Sequence, residues 1–277
     1  MDIRTENNSI FHHTSSVTTL QAILQKQAFK VQYCTEKIYL SKNTFLHIMV
    51  PMVSFADIRL TDYVRSFRQP TKEGEYALGY YGDYAIGLSK EWAIQKNVSP
   101  IIYLPKPKTT LPQNHFLKPL KGKEKRVLND NDFGEKIDGI APIASFCKHY
   151  EGILEKDPNR KERYAFHNEQ EWRYVPSDLP IRWNLYNNKS DADYQNKKKK
   201  KEALNKKIKR KLEFDLWNDV TFIVVKSEKY IDRIVDILEK RYHKELVLHP
   251  NDNVKITQRF RYLCTCIITT EQLCSDL

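Results

Sequence analysis

The chain has 277 residues, of which 40% are hydrophobic and 12% aromatic, enough apolar material for one large domain or two small ones. This composition excludes an intrinsically disordered chain. No stretch approaches the ~18–20 consecutive apolar residues of a membrane span, and residues 1–6 lack the apolar core of a secretory signal. We therefore expect a cytoplasmic protein with no membrane partner.

The net charge of +11 is concentrated in one segment. Residues 197–211 contain ten lysines or arginines and the single acidic residue Glu202, a local charge of +9, so the remaining chain carries only +2. A broadly basic surface is therefore excluded, and a polyanionic partner such as RNA or DNA is indicated for this segment alone.

The five cysteines form an odd set without any C-x-x-C pair. This pattern indicates reduced thiols and predicts neither a disulfide framework nor a metal site. We expect Cys264 and Cys266 to lie on the same side of one strand as small core residues.

The first predicted elements are a strand, a turn and a helix between Ile10 and Tyr33. The predicted strand begins with apolar residues, and residues 14–16 are candidates for the N-cap of the helix. Leu20, Ile23 and Leu24 share one face of this helix. We expect this helix to end near Gln27.

Further along, residues 52–55 have the residue types of a buried strand, and the tyrosine-rich segment 74–84 is predicted to be a loop leading into residues 85–88. A short helix should begin at Ser89, followed by a strand over residues 100–104. Residues 139–150 contain an apolar run that predicts a helix through Ala144, Phe146 and Cys147.

A strand is predicted over residues 169–175. Because alternate side chains of a strand share a face, Glu169, Glu171 and Arg173 should point one way, whereas Gln170 and Trp172 point the other. Taken alone, this pattern is also typical of an edge strand whose charged face is solvated.

In the basic segment, residues 197–216 predict a helix with an apolar seam and lysine or arginine on its other faces. The seam residues lie four apart, at Leu204, Ile208, Leu212 and Leu216. A strand over 220–225, an amphipathic helix from Ile231 to Leu238 and a last strand over 262–268 complete the prediction.

Two residues that are far apart in the sequence, His12 and Glu171, predict the chemistry of an ADP-ribosyltransferase. His12, in the opening run Phe11-His12-His13-Thr14, offers a polar side chain on a first strand, and Glu171 offers a carboxylate on a later one. An ADP-ribosyltransferase needs such groups to hold the nicotinamide ribose and to stabilise an oxocarbenium-like centre. Either histidine alone is more often a structural residue, so the prediction depends on the pair.

Three segments resemble the AbiGi-type abortive-infection proteins of bacterial phage defence: FHHT at 11–14, VPMVSFADI at 50–58 and YYGDYAIGLSKEW at 80–92. The resemblance continues at residues 171–173 and 267–273, and thus spans nearly the whole chain. That family is described as the antitoxin side of a two-gene system, which implies a partner protein from the same operon.

The opening FHHTS followed by an L-x-x-I-L helix is also similar, more distantly, to the start of DarT-type ADP-ribosyltransferase toxins, which use NAD to modify nucleic-acid bases. This resemblance implies His12 as the nicotinamide-ribose contact, Thr14 as an adjacent polar position and Glu171 as the catalytic glutamate. We expect eight candidate NAD-binding residues: His13, Thr14, Ser54, Tyr81, Tyr84, Lys90, Glu169 and Arg173. Tyr81 or Tyr84 would stack on nicotinamide.

Together these observations predict an α+β single domain over residues 1–277. Its ADP-ribosyltransferase-like mixed or antiparallel β core would carry flanking helices and a lysine-rich helical insertion at about residues 189–217. Three functions stay open: an anti-phage protein with an NAD-using site, a non-catalytic antitoxin or sensor of a two-gene system, and a nucleic-acid-binding module. For the last, the candidate residues are Lys198, Lys199, Lys206, Lys209 and Arg210.

Overall fold

The computed structural model describes residues 8–39, 45–60, 62, 68–70, 76–78, 82–105, 141–152, 165–183 and 191–275. The chain divides into two compact units. Unit 1 comprises Met1–Phe29, Phe55–Asn97 and Glu213–Leu277, and unit 2 comprises Lys30–Ser54 and Val98–Leu212. The prediction of a single domain stays a prediction.

The described residues form a mixed α/β structure with mainly antiparallel strands, which agrees with the predicted α+β class. The predicted ADP-ribosyltransferase-like core stays a prediction. The strands are β1 (Ser9–Thr14), β2 (Ala28–Lys30), β3 (Gln32–Tyr39), β4 (Phe45–Ala56), β5 (Arg68–Pro70), β6 (Tyr76–Leu78), β7 (Tyr84–Ser89), β8 (Ser99–Pro100), β9 (Ile102–Leu104), β10 (Cys147–His149), β11 (Glu171–Tyr174), β12 (Arg182–Trp183), β13 (Lys211–Glu213), β14 (Val220–Val225) and β15 (Ile267–Thr269).

Seven α-helices lie in the same described ranges: α1 (Val17–Lys26), α2 (Lys90–Gln95), α3 (Ala141–Ser145), α4 (Asp191–Lys207), α5 (Ile231–Leu248), α6 (Asn253–Thr265) and α7 (Thr270–Ser275). Short 3₁₀ helices occupy Phe166–Glu169, Glu228–Tyr230 and Pro250–Asp252. Within the described residues, no helix is long and apolar enough to cross a membrane.

Unit 1 is built on four strands in the order β15-β14-β7-β1. β14 and β15 are parallel, whereas β1 and β14 run antiparallel to β7 on its two sides. Phe11, Ala85 and Val224 pack with Ala56 and Ile58 into a buried apolar cluster. Burial of the two central strands, β7 and β14, explains why their sequences are mostly apolar.

A backbone cap ends α1, and a side-chain cap begins α2. The end of α1 is as predicted, because Gln27 adopts a left-handed conformation with φ 48° and its N–H bonds back to the last turn. Ser89 caps α2 as expected, accepting a hydrogen bond from the Trp92 N–H at 3.2 Å.

Gly82 fixes the approach of a loop to the end of β1. Its φ is +80°, and an added Cβ would lie 2.5 Å from the carbonyl oxygen of Thr14 and 2.5 Å from the Cα of Ser15. Only glycine combines this backbone conformation with such a close approach.

Unit 2 contains the long strand β4 up to Ser54, with β3 antiparallel to it over eight residue pairs. β12 pairs with β4 at Met49 and Ile48. β9 and β10 form a parallel pair, and β11 runs antiparallel to β8. Charged residues of β3, β10 and β11 supply the candidate site.

Several predicted elements are wrong in type or extent, and the segment 74–84, expected to be a loop, contains β6. The helix expected over 139–150 is the short α3 followed by β10, so Cys147 lies in a strand. The last strand expected over 262–268 is largely the end of α6, which places Cys264 in a helix and leaves only Ile267–Thr269 extended. Leu263, buried on the inner face of α6, explains why the apolar run stays helical there.

The basic helix is also shorter at its C-terminal end than predicted. α4 ends at Lys207 rather than Leu216, because residues 211–213 form the strand β13 and the Arg210 carbonyl accepts a hydrogen bond from the Val31 N–H at 3.4 Å. The predicted seam is therefore not helical throughout: Leu212 is buried in β13, and Ile208 and Leu216 lie beyond the helix.

Candidate functional site

Five charged side chains meet in unit 2 and are called here the charged cluster: Glu36 of β3, Lys148 of β10, Glu169 of the 3₁₀ helix, and Glu171 and Arg173 of β11. Arg173 is 0% exposed and Glu171 6% exposed. Charges this deeply buried are stable only when they are paired and hydrogen-bonded.

Arg173 holds Glu171 through two hydrogen bonds. Its Nε donates to Oε1 at 2.6 Å and its Nη2 donates to Oε2 at 3.2 Å. The remaining nitrogen, Nη1, donates to the Ser145 carbonyl at 2.7 Å, and Nη2 also donates to Glu36 Oε1 at 2.9 Å. All three guanidinium nitrogens therefore have acceptors.

Lys148 connects the two carboxylates that precede Arg173. Its Nζ lies 2.6 Å from Glu169 Oε2 and 2.8 Å from Glu171 Oε2. Both oxygens of Glu171 thus accept hydrogen bonds from cations. The main-chain N–H of Glu171 donates to the Tyr103 hydroxyl at 2.8 Å, which fixes the start of β11.

The predicted strand over 169–175 begins two residues later than expected. Glu169 ends a 3₁₀ helix, and Gln170 adopts a left-handed conformation with φ 42° before β11 starts at Glu171. Glu169 nevertheless lies on the same side as Glu171, because Lys148 reaches both. The prediction that Glu169, Glu171 and Arg173 come together is confirmed in this respect.

The electrostatics of the cluster favour ionised Glu171. Burial alone would raise the pKa of this carboxyl, but the charges of Arg173 and Lys148 outweigh burial and lower the pKa to about 2. For Glu36 burial prevails over the attraction of Arg173, and the pKa is raised. The pKa values of Lys148 and Arg173 are raised by the carboxylates despite burial. With three carboxylates and two cations, the fully ionised cluster carries one surplus negative charge.

Aromatic side chains flank the charged cluster. Lys148 lies 5.0 Å from the ring centroid of Phe166, and the rings of Tyr150 and His167 stack at 3.8 Å. Burial raises the pKa of Tyr103 to about 12, which keeps its hydroxyl protonated. These contacts order the residues on both sides of β10.

His12 lies in unit 1, in an aromatic environment. Its ring lies 4.7 Å from Phe29 and 5.6 Å from Phe55, measured between centroids, and Trp92 packs against both phenylalanines. Because Glu171 belongs to unit 2, the prediction that His12 and Glu171 share one cleft stays a prediction.

Other predicted NAD-binding residues also lie in unit 1. Burial lowers the pKa of His13 to about 3, so this imidazole is neutral at pH 7. Thr14 pairs with Tyr84 across β1 and β7, and the Tyr84 ring packs edge-on against Tyr230 with centroids 5.5 Å apart. Lys90 forms an ion pair with Asp57 at 2.8 Å.

Two further predicted residues complete the set. Ser54, in unit 2, is half-buried on β4, and its hydroxyl lies 3.6 Å from the sulfur of Met52. Tyr81 lies outside the described residues. The roles of these residues in NAD binding stay predictions.

The candidate nucleic-acid-binding residues lie on α4 and just after it. Lys198, Lys199 and Lys206 are exposed on the helix, whereas Lys209 and Arg210 are exposed in the segment that follows. Arg210 also lies 3.9 Å from Asp178 and donates to the Tyr174 hydroxyl at 3.3 Å.

Sequence reasoning missed Glu36, Lys148 and Tyr103. Glu36 reaches Arg173 across 137 positions of chain, which no local pattern indicates. Lys148 carried a weak signal, since it is the single lysine, arginine or acidic residue in the apolar run 139–149.

Within the described residues, no group of three or more His, Cys, Asp or Glu side chains is arranged to hold a metal ion.

The chain matches a known protein family. The sequence model of the family described as abortive phage resistance protein AbiGi, antitoxin, matches residues 27–226, well over half of the chain and including the whole charged cluster. Searches of curated proteins and of solved structures found no significant match. The chain belongs to the AbiGi family of abortive phage resistance proteins.

Proposed function

We propose that this protein is the antitoxin component of an abortive-infection system, and that it neutralises a partner toxin by binding it rather than by consuming NAD. The family description supports the biological role. The observation that carries the mechanistic part is the geometry of Glu171, whose two carboxylate oxygens accept hydrogen bonds from Arg173 and Lys148 in a buried position.

A catalytic glutamate in an ADP-ribosyltransferase must meet the ribose or the developing cation with its carboxylate. Here a substrate would have to displace Arg173 or Lys148 from Glu171. Breaking a buried ion pair by removing one partner costs about 3–5 kcal/mol, because the other charge is left uncompensated. The arrangement therefore suits a carboxylate that stabilises the fold of unit 2.

The NAD-using ADP-ribosyltransferase is the second candidate. It is favoured by the meeting of Glu169, Glu171 and Arg173 with Lys148, which places two carboxylates within 3 Å of one ammonium group. In this alternative, His12 and Glu171 would act on NAD bound as a substrate. Nicotinamide would be released, and the ADP-ribose would be transferred to a nucleic acid or a protein.

Nicotinamide release from NAD by the purified chain separates the two candidates. We expect no release above that of a buffer control, and no difference between the wild type and Glu171→Gln. Growth of bacteria that express the chain alone should be normal. Sustained release that Glu171→Gln abolishes, together with growth arrest by the wild type, would overturn the antitoxin proposal in favour of the enzyme.

The binding part is tested by co-expression with the protein encoded by the adjacent reading frame. A tagged chain should retain that protein through purification. The same tag on an unrelated protein of similar charge serves as the control. Failure of the two proteins to associate would contradict neutralisation by binding.

A further inference from the structure

The helix α4 lies on the edge strand β3 through a row of polar contacts. Asn205 Oδ1 accepts a hydrogen bond from the Tyr33 N–H at 2.8 Å, and Lys201 Nζ donates to Thr35 Oγ1 at 3.1 Å. Lys197 is buried. Because these helix residues are spaced by four, they share one face, and that face is the one turned towards β3.

The opposite face of α4 and the residues that follow it are strongly cationic. Eight lysines or arginines are exposed between residues 198 and 211: Lys198, Lys199, Lys200, Lys206, Lys207, Lys209, Arg210 and Lys211. Glu202 is the single acidic residue in this part of the sequence. We call these eight residues the basic face. Lys198 and Lys206 are eight residues apart, so the charges extend over about 12 Å of helix axis.

The residue types of the basic face indicate which polyanion fits it. Protein interfaces are depleted in lysine and obtain most of their binding energy from tryptophan, tyrosine and arginine. Residues 196–211 contain no aromatic side chain, and seven of the eight exposed cations are lysines. Lysine is a flexible, strongly hydrated point charge, and it binds phosphate as a point charge, without the fixed two-point geometry of arginine.

We propose that the basic face binds the phosphate backbone of nucleic acid without sequence preference. Lysines that neutralise phosphates release condensed counterions, and this release stabilises the complex at low salt. The proposal goes beyond neutralisation of a toxin and does not depend on it. Nucleic-acid binding is compatible with the packing of α4 on β3. The contacts with Tyr33 and Thr35 use only the face of α4 that is turned towards β3, so the basic face is not occupied by them.

Fluorescence anisotropy with a labelled single-stranded RNA and a labelled DNA duplex of equal length tests this proposal. Each probe is titrated at several salt concentrations, and comparison of the two probes shows which nucleic acid is preferred. The basic-face variant carries Lys198→Gln, Lys199→Gln, Lys206→Gln and Lys209→Gln. A matched control carries the same change at four exposed lysines of unit 1: Lys96, Lys240, Lys244 and Lys255.

We expect the wild type to bind at least one probe, with an affinity that falls steeply as salt rises. For every phosphate that the variant leaves without a lysine, the slope of log K against log salt should become shallower by about 0.7–0.9. The basic-face variant should therefore show a flatter slope, and its affinity for the probe should be lower than that of the wild type by about tenfold or more. The control variant should match the wild type.

A third variant keeps the test independent of folding. Replacing the same four lysines by arginine retains the charge and should retain binding, whereas thermal unfolding should be similar in all variants because Gln, Lys and Arg have similar helix propensities. No binding of either probe by the wild type would overturn the proposal and leave an acidic protein surface as the partner. Equal weakening in the basic-face and control variants would also overturn it.

Discussion

Arg173 and Glu171 lie two residues apart on β11 and form a two-point ion pair, with distances of 2.6 Å from Nε to Oε1 and 3.2 Å from Nη2 to Oε2. Strand alternation puts both side chains on one face, and both are buried. The pair therefore belongs to the interior of unit 2, where loss of either partner leaves a buried charge without compensation.

Glu171→Gln should destabilise the protein by about 3 kcal/mol, because the amide cannot balance the charges of Arg173 and Lys148. Glu36→Gln is the matched control. It removes the surplus negative charge of the cluster while keeping an acceptor for Arg173, so its cost should stay below about 1 kcal/mol. Urea unfolding measures both free energies. Equal costs for the two variants would show that Glu171 has no special structural role.

Arg173→Met should be more damaging, costing about 3–5 kcal/mol, since it leaves three carboxylates with Lys148 as their cation. Adding Glu171→Met should recover part of this loss, because replacing both members of a buried pair by apolar groups is far less costly than removing one. The double-mutant cycle should give a coupling energy of about 2 kcal/mol or more. Additive effects would contradict the ion pair.

The pH dependence follows from the opposite pKa shifts of Glu171 and Glu36. The pKa of Glu171 falls from 4.5 to about 2 on folding, so its stabilising contribution is complete above pH 4.5 and is lost as the pH decreases towards 2. The pKa of Glu36 is raised by burial, so Glu36 takes up a proton first and removes the surplus charge. We therefore expect the free energy of unfolding to fall mainly below pH 4.5.

The Glu171→Gln variant serves as the control for this pH dependence. Its unfolding free energy should fall less steeply between pH 4.5 and pH 2 than that of the wild type. Parallel curves for the two proteins would assign the acid sensitivity to other carboxylates.

His12 is expected to act through packing. His12→Ala should cost about 1–2 kcal/mol, because it removes the ring packing against Phe29 and Phe55. His12→Phe keeps an aromatic ring and should retain most of the stability. Neither change should affect neutralisation of the toxin once the protein is folded. If His12→Phe folded normally but lost all function, a chemical role for the imidazole would be indicated.

Elements with a complete local signal could be predicted from the sequence. The helix after Ser89 has its cap, and α1 and α5 have apolar residues at helical spacing. The strand predicted over residues 262–268 was wrong, because short apolar runs rich in β-branched residues fit a strand and a buried helix equally well. There Leu263 and the Tyr242–Phe260 stack hold α6 helical to Thr265.

The charged cluster could be predicted only in part for a related reason. Alternation along one strand relates Glu171 to Arg173, and this information is local. Lys148 and Glu36 approach from other strands, 23 and 137 positions away from their partners, and only the pairing of the strands brings them there. The C-terminal end of α4 also depends on strand pairing, because the strand β13 that follows limits the length of the helix. Local sequence therefore did not predict where α4 ends.

Growth rescue tests whether this chain acts as an antitoxin. The protein encoded by the adjacent reading frame is induced in bacteria with and without this chain, and colony formation is counted. We expect the adjacent protein alone to arrest growth, the chain to restore growth, and Glu171→Gln to restore it as well at a temperature where the variant is folded. Growth arrest by this chain alone, abolished by Glu171→Gln, would instead show that the chain is the toxin.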